Sequence, residues 1–108
     1  MAKKVYNKLV RDKIPEIIRS KGAEPKTRIL NEKEYLEVLI AKLKEELEEF
    51  KTDHSIEELA DIKEVLIAIR EAMGIHTGEL EDARRQKATK NGRFQQRIFL
   101  ESVLEPDE

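Results

Sequence analysis

Apolar residues recur along most of this chain three or four positions apart, the spacing of one face of a helix. The clearest stripe is Leu36, Leu39, Ile40, Leu43, Leu47 and Phe50. It predicts a helix from Asn31 to Phe50 or Lys51, with Asn31 as N-cap and Glu32 and Glu34 favourable in the first turn. After the short connection Asp53-His54-Ser55, the pair Ser55 and Glu58 has the spacing of a capping box. The helix it opens is expected to run to about Met73 and stop at Gly74. So short a connection predicts that the two helices pack antiparallel.

The rest of the chain is patterned less strongly. Lys3 to Val10 mixes apolar and basic residues and reads as extended or irregular. Asp12 is expected to cap a short helix with Pro15 in its first turn, Ile14, Ile17 and Ile18 on its apolar side, and Gly22 at its end. Thr77 is expected to cap a third long helix, from Gly78 to about Lys90, ended by Asn91-Gly92. Thr27 to Leu30, after Pro25, and Arg97 to Leu104 read as short strands that could pair. The architecture expected is all-α: an antiparallel helical bundle in a single domain over 1–108, with peripheral extended segments near 26–30 and 97–104.

Composition narrows the chemistry. A chain of 108 residues fits one domain with a modest core. Charged residues make up 41%, enough to suggest disorder, but the helical spacing of the apolar residues argues for folding. The net charge of -2 offers no global attraction for nucleic acid or an anionic membrane. There is no cysteine, which excludes disulfides, thiolate zinc sites and cysteine nucleophiles, and two histidines are too few for a usual zinc or haem site. No long apolar run or signal-peptide pattern occurs, so a cytoplasmic protein is expected.

The informative feature is a pair of acid pairs. Glu46 and Glu49 are three apart on one predicted helix, Glu58 and Asp61 three apart on the next. Each pair shares a face, and an antiparallel turn brings the faces together. Hard oxygen ligands of this kind suit magnesium, with manganese as the alternative. On a wheel of about 100° per residue, Glu58 falls among Ile62, Val65 and Ile69, and Asp61 beside Val65, Ala68 and Ala72. Ionised carboxylates on an apolar face normally pair, neutralise or bind metal. Glu46 lies at the border of its stripe and Glu49 points further away, so alone that pair reads as solvated surface. Glu64 either supports the site or sits in solvent. Glu45, Glu48 and Glu57 read as solvated neighbours.

The segments Lys42-Leu43-Lys44-Glu45-Glu46-Leu47-Glu48-Glu49-Phe50 and Glu57-Glu58-Leu59-Ala60-Asp61-Ile62 resemble the metal motif of MazG-like nucleoside triphosphate pyrophosphohydrolases. Lys87, Lys90-Asn91-Gly92-Arg93-Phe94 with Arg97-Ile98, and the opening Tyr6-Asn7-Lys8-Leu9-Val10-Arg11-Asp12-Lys13-Ile14-Pro15, resemble one branch of that family, with Asn91-Gly92 departing from its commoner glycine pair. The resemblance implies hydrolysis between the α and β phosphates of a nucleoside triphosphate, often a non-canonical one in a house-cleaning role, to a monophosphate and pyrophosphate. It implies magnesium held by Glu46, Glu49, Glu58 and Asp61, with Glu46 or Glu49 taking a proton from water. It also implies a homodimer or homotetramer, and a second subunit would cover the apolar faces left on the Val65 to Met73 helix. Lys87, Lys90 and Arg93 would hold the outer phosphates. Without the family, these three read as a basic face at a helix C-terminus. Arg11 and Lys13 are a further phosphate patch or a surface pair beside a cap. Three rival readings stand: a phosphoribosyl-ATP pyrophosphohydrolase of histidine biosynthesis, a non-enzymatic helical interaction module, and a nucleic-acid binder. Net acidity and few aromatics argue against the last.

Overall fold

Asn31 opens the longest helix: its side chain accepts a 2.8 Å hydrogen bond from the Glu34 N–H, satisfying one of the donors that a helix start leaves open. In the computed structural model, which describes residues 2–107, that helix is the second of four. The order is α1 (Ile14–Ser20), α2 (Glu32–Thr52), α3 (Ile56–Ala72) and α4 (Thr77–Asn91). No strand occurs among the described residues. The chain forms two compact units, Met1–His76 and Thr77–Glu108. None of the helices is long and apolar enough to cross a membrane.

The first unit is built on the α2–α3 hairpin. Three residues join the helices, and Ser55 caps α3 by accepting a 3.2 Å hydrogen bond from the Glu58 N–H. At the far end of α3, Gly74 takes the left-handed conformation (φ 69°), and the Ile75 N–H reaches back to the Arg70 carbonyl at 3.1 Å. This is the glycine-terminated closure expected there. The Arg70 guanidinium fastens the same turn by donating to the Ile75 carbonyl at 2.6 Å.

Burial in the hairpin is sparse. Leu39, 2% exposed, comes from α2; Ile62 and Val65 come from α3. The fourth buried residue is charged: Glu46. Glu46 stands seven positions after Leu39, and Glu58 seven before Val65. Both occupy places where a helix–helix seam repeats its apolar contact. The seam therefore has two layers: an acidic one near the connection, and an apolar one further along.

Three expectations need correction. Asp12 does not cap α1; Lys13 holds that position, in helical geometry and without a side-chain cap. The Ile14 N–H bonds to the Arg11 carbonyl at 3.1 Å, so Asp12 lies inside a turn rather than in the extended conformation a cap needs. Thr77 is the first residue of α4 rather than its cap. Neither Thr27–Leu30 nor Arg97–Leu104 forms a strand. The first is held by a side chain instead: Arg28 donates two hydrogen bonds to Glu34, at 3.0 and 2.7 Å. In the second, Ile98, Phe99, Leu100 and Leu104 are all exposed, and alternation without a partner strand makes no sheet.

The second unit consists of α4 and the tail. No residue of α4 is buried. Glu81 pairs with Arg84 and Arg85 along its surface, and the helix ends at Gly92 (φ 84°), whose N–H bonds to the Ala88 carbonyl at 2.8 Å.

Candidate metal centre

The acidic layer brings the two pairs together. Glu46, Glu58 and Asp61 each offer a carboxylate oxygen, and these oxygens lie within 4.8 Å of one another. One comes from α2 and two from α3, so the hairpin itself is the scaffold. Glu49 is exposed and lies outside this group of three, though its charge bears on Glu58. Three of the four acids picked from spacing thus converge on one side of the hairpin, and Glu49 is not among them. Glu46, read from the wheel as a border position, is the most buried of them at 6% exposure. Glu64 is exposed and outside the group.

The carboxylates are incompletely satisfied. Lys42 Nζ lies 3.4 Å from Glu46 Oε1, and Arg11 donates a 2.7 Å hydrogen bond to Asp61 Oδ1. Glu46 Oε2 and Glu58 Oε2 are buried and have no hydrogen-bond partner. An unpartnered buried carboxylate oxygen is costly, and proximity multiplies the cost. Burial holds the Glu46 carboxyl above its ordinary value; the ion pair with Lys42 opposes this, and the Glu49 and Asp61 charges add to it. Burial likewise raises Glu58, reinforced by the Glu49, Glu46 and Asp61 charges. Both groups are pushed toward the proton-bound form for want of positive charge. A divalent cation supplies such charge, and oxygen-only donors match the hard ions magnesium and manganese.

Two participants are not visible in the acid spacing. Lys42 partners Glu46 and also lies 3.5 Å from Glu45; Lys8 lies 4.0 Å from Glu45. Glu45 is therefore ion-paired and half-buried rather than simply solvated. The Lys42–Glu46 spacing of four was a signal that could have found the first contact. Nothing local announces the Arg11–Asp61 contact. Of the predicted phosphate-binding residues, Arg11 lies against the acidic layer, while Lys13 is an exposed cap residue of α1. Lys87 and Lys90 are exposed on the last turns of α4, with Arg93 exposed just beyond it. His54 packs its ring on Phe50, 5.3 Å between centroids, a structural role at the end of α2.

Comparison with known proteins adds little. No family model matches the chain, and no solved structure matches it. A protein of Mycolicibacterium smegmatis, described only as uncharacterized, is 51% identical over 43 residues. That stretch is 40% of this chain and 44% of the relative, so the likeness spans less than half of either.

Proposed function

We propose that the chain is a magnesium-dependent nucleotide pyrophosphohydrolase of the MazG-like kind, cleaving a nucleoside triphosphate between its α and β phosphates. The observation that carries the reading is the pair of buried, unpartnered oxygens, Glu46 Oε2 and Glu58 Oε2, beside Asp61. The order of motifs along the chain supports the same reading.

Glu46, Glu58 and Asp61 would hold the cation. When bound, it would neutralise charge on the phosphate oxygens and make a water more acidic. Glu49 stands outside the three converging carboxylates and is exposed, so it is the acid best placed to accept a proton from that water. Lys42 keeps one oxygen of Glu46 fixed and aims the carboxylate. Arg11 has donors beyond the one given to Asp61, and a guanidinium can grip phosphate through two of them. The role of Lys87, Lys90 and Arg93 toward phosphate rests on the resemblance alone.

We infer a homo-oligomer, a helical bundle completed by a second copy. Only three apolar residues are buried among those described, while Ile56, Leu59 and Leu66 of α3 stay exposed along a hollow of about 460 Å³ that Ala60, Ile62 and Lys63 also line. Ile40 and Leu47 of α2 are also close to half exposed. Apolar surface on this scale, beside so small a core, favours association with another copy.

The test is a pyrophosphate-release screen over canonical and modified nucleoside triphosphates, with and without magnesium. Release that requires magnesium and is lost in Glu58→Gln supports the reading. Folded protein that turns over none of them points instead to a helical interaction module, and selective turnover of phosphoribosyl-ATP to the histidine-pathway reaction.

A further inference from the structure

We propose that Arg11 is a built-in competitor for the cation site: its guanidinium occupies Asp61 until a divalent ion arrives, and its release loosens α1 together with the segment before it. The proposal rests on the metal reading above and concerns how that site is regulated.

The acidic layer has an observation of its own that points to a cation. Glu46 is 6% exposed, and its Oε2 has no hydrogen-bond partner. Asp61 belongs to the same three-carboxylate group and is the acid that Arg11 engages, 2.7 Å from Nη2 to Oδ1. One carboxylate thus serves both as candidate ligand and as anchor for a side chain fifty positions away. A bound divalent ion and a guanidinium on that carboxylate repel each other, so each weakens the other's hold.

The segment carrying Arg11 is lightly attached. No residue of α1 is buried. Residues 2–13 are exposed apart from Leu9, which is half-buried. Among the described residues, the other ion pair from this segment to the hairpin is Lys8 with Glu45, at 4.0 Å. Arg11 and Asp61 are themselves partly solvated, at 58% and 37% side-chain exposure, and a pair of that kind is weak enough for a divalent ion to displace. Displacement would free the guanidinium beside the site, where a phosphate brought by the cation could take Asp61's place. Cation first and polyphosphate second is the order this implies.

The experiment uses the full chain and manganese alone. Manganese affinity is measured by calorimetry for the parent, Arg11→Gln and Arg11→Lys, and amide exchange of residues 14–22, where the Ile14 N–H bonds to the Arg11 carbonyl and the Ile17 N–H to the Lys13 carbonyl, is followed with and without manganese. The expected result is binding roughly two- to fivefold tighter in Arg11→Gln, the range a partly exposed ion pair can supply, with Arg11→Lys in between. Exchange of residues 14–22 should speed up on manganese binding in the parent. In Arg11→Gln it should already be fast and indifferent to manganese. Equal or weaker binding by Arg11→Gln, or exchange in the parent that manganese leaves unchanged, overturns the proposal while the metal reading stands. A folded parent that binds no manganese overturns both.

Discussion

Lys42 reaches Glu46 through one carboxylate oxygen only: Nζ lies 3.4 Å from Oε1, and Oε2 of the same buried group has no partner. The pair is thus an ion pair and a deficit at once. Replacing Lys42 by Met leaves Glu46 with neither oxygen satisfied. The variant should lose about 1–3 kcal/mol at neutral pH, read by denaturant unfolding in the presence of a chelator. The loss should shrink in acid, where Glu46 takes up a proton. A divalent cation should restore part of it.

The raised carboxyls of Glu46 and Glu58 give a pH dependence of definite sign. Their folded values lie above the ordinary 4.5, so each favours the folded chain fully below that value, and the contribution is lost as pH rises through the raised value. Glu34 and Glu81, held low by Arg28 and Arg84, work in the opposite direction and obscure the raw profile. The informative quantity is the difference from Glu58→Gln, whose side chain is neutral throughout. Without metal, the two proteins should melt together in acid, and the variant should melt higher as pH approaches neutrality. A variant that is less stable than the parent at neutral pH, metal-free, contradicts the assignment.

The exposed face of α3 predicts an assembly. Leu59 and Leu66 are about half exposed and lie seven positions apart, on one side of the helix. Leu59→Glu with Leu66→Glu should leave helix content unchanged and lower the mass seen in light scattering. A parent chain that is already monomeric at high concentration rules out the inferred oligomer.

Leu39 is the most buried side chain described, and it begins the apolar layer of the hairpin. Leu39→Ala should cost about 2–5 kcal/mol, a large fraction of the stability of a chain with so small a core. By contrast, Gly74→Ala meets nothing within 4 Å and should cost only the left-handed backbone penalty, about 1 kcal/mol. A chemical-denaturation series on both gives the ranking.

Much of the first unit was legible because its signals are local. Asn31 and Ser55 mark helix starts through spacings of three, and Gly74 marks an end through its freedom to take positive φ. The acid pairs were legible for the same reason: helical spacing fixes faces, and a three-residue connection fixes which faces meet. Glu46 was underread because a single-helix wheel sees only α2, whereas its burial comes from α3 packed across it. Arg11 against Asp61 joins positions fifty apart, and no local rule reports that. Asp12 misled because a capping residue type needs extended backbone, and the turn from Arg11 to Ile14 denies it that. The alternating apolar tail at 97–104 misled because the pattern of a strand also fits an exposed segment without a partner.

Whether the hairpin's carboxylates are held ready for a divalent ion is decided most directly by counting bound manganese at neutral pH, by spin resonance of the free ion, for the parent and for Glu46→Gln with Glu58→Gln. Saturable binding by the parent and none in the double variant, with both proteins folded, is the expected result. A folded parent that leaves all the manganese free, or a double variant that binds as the parent does, would contradict it.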